Sequence, residues 1–233
     1  MRPRTEADPV RVERALRRLA PVLASEGLRL AIARDGETEA LTHGPDERRL
    51  ADAMHPLRRG TFLAGRCAAR RALRHAGLPV TGIRYLAGGR RPAFPEGSVG
   101  SLSHSGGLAV AVVADARRYR ALGCDLELRP LPLETARLVL GPAERDWLDL
   151  APGPGPAEGR LLALFSVKEA AFKAFHAVLG ADAPTLVRNI GVRPVRGGFR
   201  AVAEHLPAGP ALFVRLRSVG PGGVFSWAAV EVP

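Results

Sequence analysis

Each half of this 233-residue chain carries one long apolar helix pattern among short strand patterns, and no other feature constrains the fold as much. The first, residues 62–76, reads Phe-Leu-Ala-Gly-Arg-Cys-Ala-Ala-Arg-Arg-Ala-Leu-Arg-His-Ala and runs into Gly77, a natural helix C-cap. The second, residues 160–179, has Leu, Phe, Val or Ala at most of its positions. Strand patterns lie at 28–33, 99–102, 108–114 and 120–128, then at 190–195, 198–203, 211–219 and 224–232. Another helix pattern covers 10–26, with shorter ones at 133–140 and 143–150. A Gly- and Pro-rich loop spans 88–97, and 151–159 is a turn-rich spacer. One long helix with several strands in each half predicts an α+β protein of two similar lobes, residues 1–115 and 116–233, although the sequence carries no clear internal repeat.

Function is first bounded by charge. The net charge of +11 points to an anionic partner: nucleic acid, a nucleotide-like cofactor, anionic lipid or an acidic protein. From Ala53 to Pro95 there is no Asp or Glu, while Arg58, Arg59, Arg66, Arg70, Arg71, Arg74, Arg84, Arg90 and Arg91 all fall inside. Such a run is either a solvated face or an anion-binding surface. No stretch of 18 apolar residues and no signal-peptide pattern occurs, so neither a membrane span nor membrane attachment is expected. Cys67 and Cys124, the only cysteines, have no metal-type spacing and form no disulfide framework, which fits a reducing cytoplasm.

Of 34 basic residues only two are Lys, Lys168 and Lys173, in Phe165-Ser-Val-Lys-Glu-Ala-Ala-Phe-Lys173. A chain so biased toward Arg keeps Lys where a compact, flexible ammonium does what a planar guanidinium does not, and phosphate is one ligand for such a point charge. Glu169 and Lys173 share a helix face, either as a routine stabilising pair or as part of a site within a very apolar helix. In Gly123-Cys-Asp-Leu-Glu127, Asp125 and Glu127 point to one side of a strand end, a common surface pattern or a pair of hard oxygen ligands for Mg2+ or Mn2+. With Glu169 they would make a three-carboxylate site. Ser101-Leu-Ser-His-Ser105 offers hydroxyls and an imidazole to a phosphate or ribose. There is no G-x-S-x-G elbow, Walker A loop or G-x-G-x-x-G, so a serine hydrolase, a P-loop enzyme and a Rossmann enzyme are not expected.

The order Ser103-His104, then Gly-x-Asp-x-Glu, then Lys-Glu-Ala-x-x-Lys resembles the 4′-phosphopantetheinyl transferases of the Sfp/EntD type. Phe62-Leu-Ala-Gly-Arg66 and Val99-Gly-Ser-Leu-Ser-His104 resemble the EntD-like branch. The resemblance runs from about Arg58 to Lys173. It implies a pseudo-twofold α+β fold with the active site between two lobes. It also implies transfer of the phosphopantetheine arm of coenzyme A to a serine of an apo carrier protein, with release of adenosine 3′,5′-bisphosphate. Under it, Asp125, Glu127 and Glu169 hold Mg2+, with Mn2+ as the alternative. Lys168 and Lys173 contact the coenzyme A phosphates. Ser103 and His104, with Arg58, Arg66 and Arg91, line the nucleotide site. Glu169, Lys173 and His104 are the candidate catalytic residues. The expected partners are coenzyme A and an acidic, helical carrier domain of fatty-acid, polyketide, nonribosomal-peptide or siderophore synthesis, with no nucleic acid or membrane and the enzyme a monomer. Three positions depart from the family pattern: Phe165 stands for Trp, Cys124 for Val or Ile, and Thr61 for Glu. The competing classes are a nucleic-acid-binding protein tracking phosphates with the 58–91 arginines and a carrier-binding scaffold without chemistry.

Overall fold

The computed structural model describes residues 7–37, 44–80, 82–85, 91–150 and 157–233. Along the chain come α1 (Pro9–Ser25), β1 (Arg29–Arg34), α2 (Pro45–Asp52), α3 (Pro56–Ala76), β2 (Arg84–Tyr85), β3 (Pro92–Ala93), β4 (Ser98–Ser105), β5 (Leu108–Asp115) and β6 (Tyr119–Glu127). The second half adds α4 (Ala136–Val139), α5 (Pro142–Leu150), α6 (Ala157–Leu179), β7 (Ile190–Val195), β8 (Gly198–Ala203), β9 (Ala211–Gly220) and β10 (Gly223–Glu231). The last four strands match the sequence patterns almost residue for residue. Both long helices begin earlier than their apolar patterns. For α3 the reason is Pro56, whose fixed φ and missing N–H suit the first helical turn. At its other end Gly77 adopts φ 66° and closes the helix. The 133–140 pattern splits into a single 3-10 turn at Leu133–Thr135 and the short α4. Helix α2 has no counterpart in the sequence reading. Residues 88–90 of the expected loop and 151–156 of the expected spacer lie outside the described residues.

The strands form antiparallel sheets: β1-β5-β4, the larger β6-β10-β9-β8-β7, and the small pair β2-β3. The two halves share one long helix laid on an antiparallel sheet, but the sheets are unequal, three strands against five. Strand β5 explains its own unbroken apolar run. Ala109, Ala111 and Val113 face α3, while Leu108, Val110 and Val112 join a second core with α1, β6 and β10. Small residues on α3 (Ala64, Ala68, Ala69, Ala72) let it lie close on that sheet. In the second half α6 sinks Leu164, Val167, Ala171 and Phe175 into a core shared with β7, β8 and β9.

The two large sheets meet where β4 runs beside β6. The amides of Cys124, Leu126 and Leu128 donate to the hydroxyls of Ser101, Ser103 and Ser105, at 2.9, 3.1 and 3.1 Å. Alternating serines on β4 therefore satisfy alternating amides of β6 and of the residue that follows it. The side-chain period of two makes that match possible.

Candidate active site

Gly123 decides how close α6 lies to β6. A Cβ there would fall 1.9 Å from the carbonyl oxygen of Ala170, so only glycine admits the helix at this distance. On the neighbouring β10, Ser226 ties the helix down through Ser166 of α6: their hydroxyls are 2.8 Å apart, and Ser226 donates to the Ser166 carbonyl at 2.7 Å. With the helix seated, the Lys173 ammonium reaches across to the strand. It donates to the Cys124 carbonyl and to Asp125 Oδ1, both at 2.9 Å. Glu169 sits one turn back on the same face.

Asp125 is 2% exposed. Its Oδ1 accepts from Lys173 and, at 2.9 Å, from the Ser103 hydroxyl. Its Oδ2 is buried and has no hydrogen-bond partner among the described residues. Leaving a carboxylate oxygen in that state is costly without a cation or donor to meet it. Glu127, two residues on, receives a longer bond of 3.4 Å from Ser105. Burial, then the charges of Asp125 and Glu169, push its carboxyl up to about 7. Burial and Asp125 raise Glu169 against the opposing pull of Lys173. Burial works against the Lys173 charge, but Asp125 and Glu169 outweigh it and hold this lysine above its ordinary range. Three carboxylates thus feel one another around one ammonium. They are not yet a cage: among the described residues no three His, Cys, Asp or Glu side chains are arranged to hold a metal ion. The expected Asp125, Glu127 and Glu169 set therefore shares a neighbourhood without forming a preassembled site. The ammonium of Lys173 now supplies the positive charge at Asp125.

Beside this cluster opens a pocket of about 430 Å3. Arg58 and Arg66 of α3, Ser103 and His104 of β4, Arg91 next to β3 and Lys173 of α6 all line it. Phe62, Leu102, Leu122 and Phe172 supply its apolar wall. Arg91 spans the two halves, its Nη1 donating to the His176 carbonyl at 2.8 Å. Arg66 is largely buried. Its Nε donates to the Ile83 carbonyl at 3.2 Å, and its guanidinium lies 4.4 Å from the Phe62 ring centre. His104 and Arg58 are exposed.

Three sequence expectations need correction. Lys168 is not in the pocket: it is 0% exposed, and its ammonium donates to Glu144 Oε2 at 2.5 Å. One residue before Glu169 on a helix is about 100° round, and that places it in the core. Burial lowers its pKa and the Glu144 carboxylate opposes that shift. Glu144 is itself a hub, accepting the amides of Gly141 at 2.8 Å and Val192 at 2.7 Å. Second, the arginine run is not one solvent-facing surface. Arg70 is 1% exposed and paired with Glu47 of α2, which also accepts the Ile83 amide at 2.7 Å. The acid that answers it lies just outside the acid-free stretch. Third, the single hydroxyl proton of Ser103 is already given to Asp125. That leaves none for a phosphate.

The sequence reading missed His176 and Phe172, which stack edge to face at 4.4 Å on the pocket side of α6. Their spacing of three and seven from Glu169 is the signal that could have found them. Cys124 is buried as expected for a swapped apolar position, with its thiol pushed up to about 11, chiefly by burial.

An ammonium, clustered carboxylates and an arginine-lined pocket suit an enzyme that handles a polyanionic substrate. The comparisons narrow the class. Residues 46–114 match the 4′-phosphopantetheinyl transferase N-terminal domain, and residues 121–210 match the 4′-phosphopantetheinyl transferase superfamily. The 4′-phosphopantetheinyl transferase Svp of Streptomyces mobaraensis is 35% identical over 201 residues, 81% of this chain and 79% of that one. The transferase Npt of Nocardia iowensis is 37% identical over 138 residues, covering 59% of this chain and 60% of its own. Enterobactin synthase component D of Salmonella typhi is 35% identical over 121 residues, 51% of this chain and 48% of its own. The chain belongs to the 4′-phosphopantetheinyl transferase family.

Proposed function

We propose that this protein transfers the 4′-phosphopantetheine arm of coenzyme A to a serine hydroxyl of an apo carrier protein, in a divalent-cation-dependent reaction that releases adenosine 3′,5′-bisphosphate. The observation that carries the reading is the pairing of Lys173 with Asp125 beside an arginine-lined pocket, with one Asp125 oxygen left unpartnered.

Coenzyme A is polyanionic, and Arg58, Arg66 and Arg91 give its phosphates a basic wall. His104, exposed in the same wall, supplies a neutral or charged donor to the nucleotide end. Asp125, Glu127 and Glu169 fit a hard cation by donor type and by the unpartnered Oδ2, and they are the residues that would hold Mg2+ or Mn2+. When bound, the ion supplies charge neutralisation on the pyrophosphate. Lys173 adds a fixed ammonium where negative charge builds on the leaving phosphate, and burial of its surroundings strengthens that attraction. The carrier serine is a poor nucleophile and needs a base. Glu169, one turn from Lys173 on the same face of α6, accepts its proton as oxygen attacks the β-phosphorus. No covalent enzyme intermediate enters this scheme. The two halves would act as lobes related by a pseudo-twofold, each contributing a pocket wall. The enzyme is read as monomeric and cytoplasmic, with no role for nucleic acid. No helix among the described residues is long and apolar enough to cross a membrane. A partner of acidic helical character matches the net charge of +11.

Intact-mass measurement of an apo carrier protein mixed with this protein, coenzyme A and Mg2+ tests the proposal. A gain of one phosphopantetheine mass that EDTA abolishes is the expected result. No gain across carriers of several pathways, with the protein folded, overturns it.

A further inference from the structure

The serines of β4 do more than join the two sheets. Ser101 and Ser103 each accept one β6 amide, and Ser105 accepts that of Leu128 just past the strand end. Two of them also turn their proton onto a carboxylate: Ser103 onto Asp125 at 2.9 Å, and Ser105 onto Glu127 at 3.4 Å. The match is a matter of register. Strands that run side by side in step place residues 103 and 105 against 125 and 127, and the side-chain period of two keeps both contacts on one side.

We propose that Ser103 is a positioning residue that sets Asp125 for a divalent cation, with Ser105 in a lesser version of the same role toward Glu127. The inference deepens the reading above and rests on it. A hydroxyl has one proton, and that of Ser103 goes to Asp125 Oδ1 while its oxygen takes the Leu126 amide. The amide fixes the hydroxyl, and the hydroxyl fixes the carboxylate. Lys173 holds the same Oδ1 from the α6 side. Both ties fall on one oxygen, and the other is left buried and unpartnered for an incoming ion. Groups that hydrogen-bond a ligating carboxylate orient it and raise its affinity, and their loss costs about 10–100-fold in metal binding.

Ser101 is a built-in control. It caps the Cys124 amide in the same ladder, at 2.9 Å, but touches neither carboxylate. A merely structural role for the ladder would make Ser101→Ala and Ser103→Ala equivalent.

The test is Mn2+ binding to the full chain, followed by electron paramagnetic resonance of the free ion, with and without coenzyme A and with no carrier present. Ser103→Ala is expected to weaken Mn2+ binding about 10–100-fold. Ser101→Ala should leave it unchanged, and Ser103→Thr, which keeps the hydroxyl, should restore it. Ser103→Cys, close in size but a weak donor, stands in if the alanine variant does not fold and should also weaken binding. Equal losses for the Ser101 and Ser103 variants overturn the inference in favour of a structural seam. Unchanged Mn2+ binding with a raised KM for coenzyme A overturns it in favour of a direct nucleotide contact. A wild-type protein that binds no Mn2+ in either condition removes the metal reading itself, and the inference with it.

Discussion

Replacing Lys168 with Met separates a core ion pair from a substrate contact. The side chain is fully buried, and its ammonium meets Glu144 at 2.5 Å. Methionine keeps the length and loses the charge, which leaves the carboxylate without its cation. Breaking one side of a buried pair costs roughly 3–5 kcal/mol. Glu144 keeps the amides of Gly141 and Val192, at 2.8 and 2.7 Å, so it is not stranded. Those two bonds set the expectation at the low end, about 3 kcal/mol. In a chain of this length each kcal/mol lowers Tm by about 2–4 °C, so Lys168→Met should melt about 6–12 °C lower. Pairing it with Glu144→Gln should recover part of the loss, because the two changes share one interaction. Circular-dichroism melts and steady-state kinetics at a temperature where the variant is folded provide the readout. The KM for coenzyme A should stay at the wild-type value. A variant that melts like wild type but shows a KM for coenzyme A raised tenfold or more would return Lys168 to the pocket and refute the core assignment.

Three further outcomes are expected. Gly123→Ala forces α6 off β6, since the new Cβ meets the Ala170 carbonyl at 1.9 Å. Overpacking of this kind costs about 1–3 kcal/mol or more. A shift of about 1 Å at Glu169 and Lys173 should lower kcat/KM about 100-fold, and a variant with normal turnover would show that the helix is free to retreat. Glu169→Gln should lose a factor of about 10²–10⁴ in turnover, the usual worth of a general base, while retaining coenzyme A binding by calorimetry. Glu127 titrates at about 7 when folded against 4.5 as its reference, so the folded state holds the extra proton. Its contribution to stability is full below the reference value and is lost as pH rises toward and through about 7. Metal-free protein should therefore melt at falling temperature from pH 5 to 8, and added Mg2+ should flatten that slope. A rising or flat metal-free profile would contradict the burial of Glu127.

The strands of the second half were legible because period-two alternation and turn residues are local. The same holds for Gly77, where one backbone conformation selects one residue. Helix α2 escaped notice because Pro45–Asp52 is mostly polar and has no apolar stripe to announce it. Its Glu47 matters through a partner, Arg70, far along the chain. That Asp125, Glu127, Glu169 and Lys173 are neighbours was legible because motif spacing on a strand or a helix fixes which side chains share a face. Lys168 was misread for the converse reason. Adjacent helix positions diverge by about 100°, and which face becomes the core is settled by what packs against it.

By itself the sequence determined most of the element types, the family and the set of polar groups available to the site, since each follows from short-range pattern or motif. Tertiary structure alone decided which of the two lysines serves the pocket, which arginines are neutralised and which hydroxyl holds which carboxylate. Those choices depend on pairs of groups separated by 22 to 48 residues, as in Ser103 with Asp125, Arg70 with Glu47 and Lys173 with Asp125. Lys173 meets Asp125 only once α6 has settled on Gly123, Ser103 meets Asp125 only once β4 has come into step with β6, and Arg70 meets Glu47 only once α2 has packed on α3. Burial then sets the energies, because a charge or hydroxyl removed from water must find a partner within about 3 Å or leave its cost unmet.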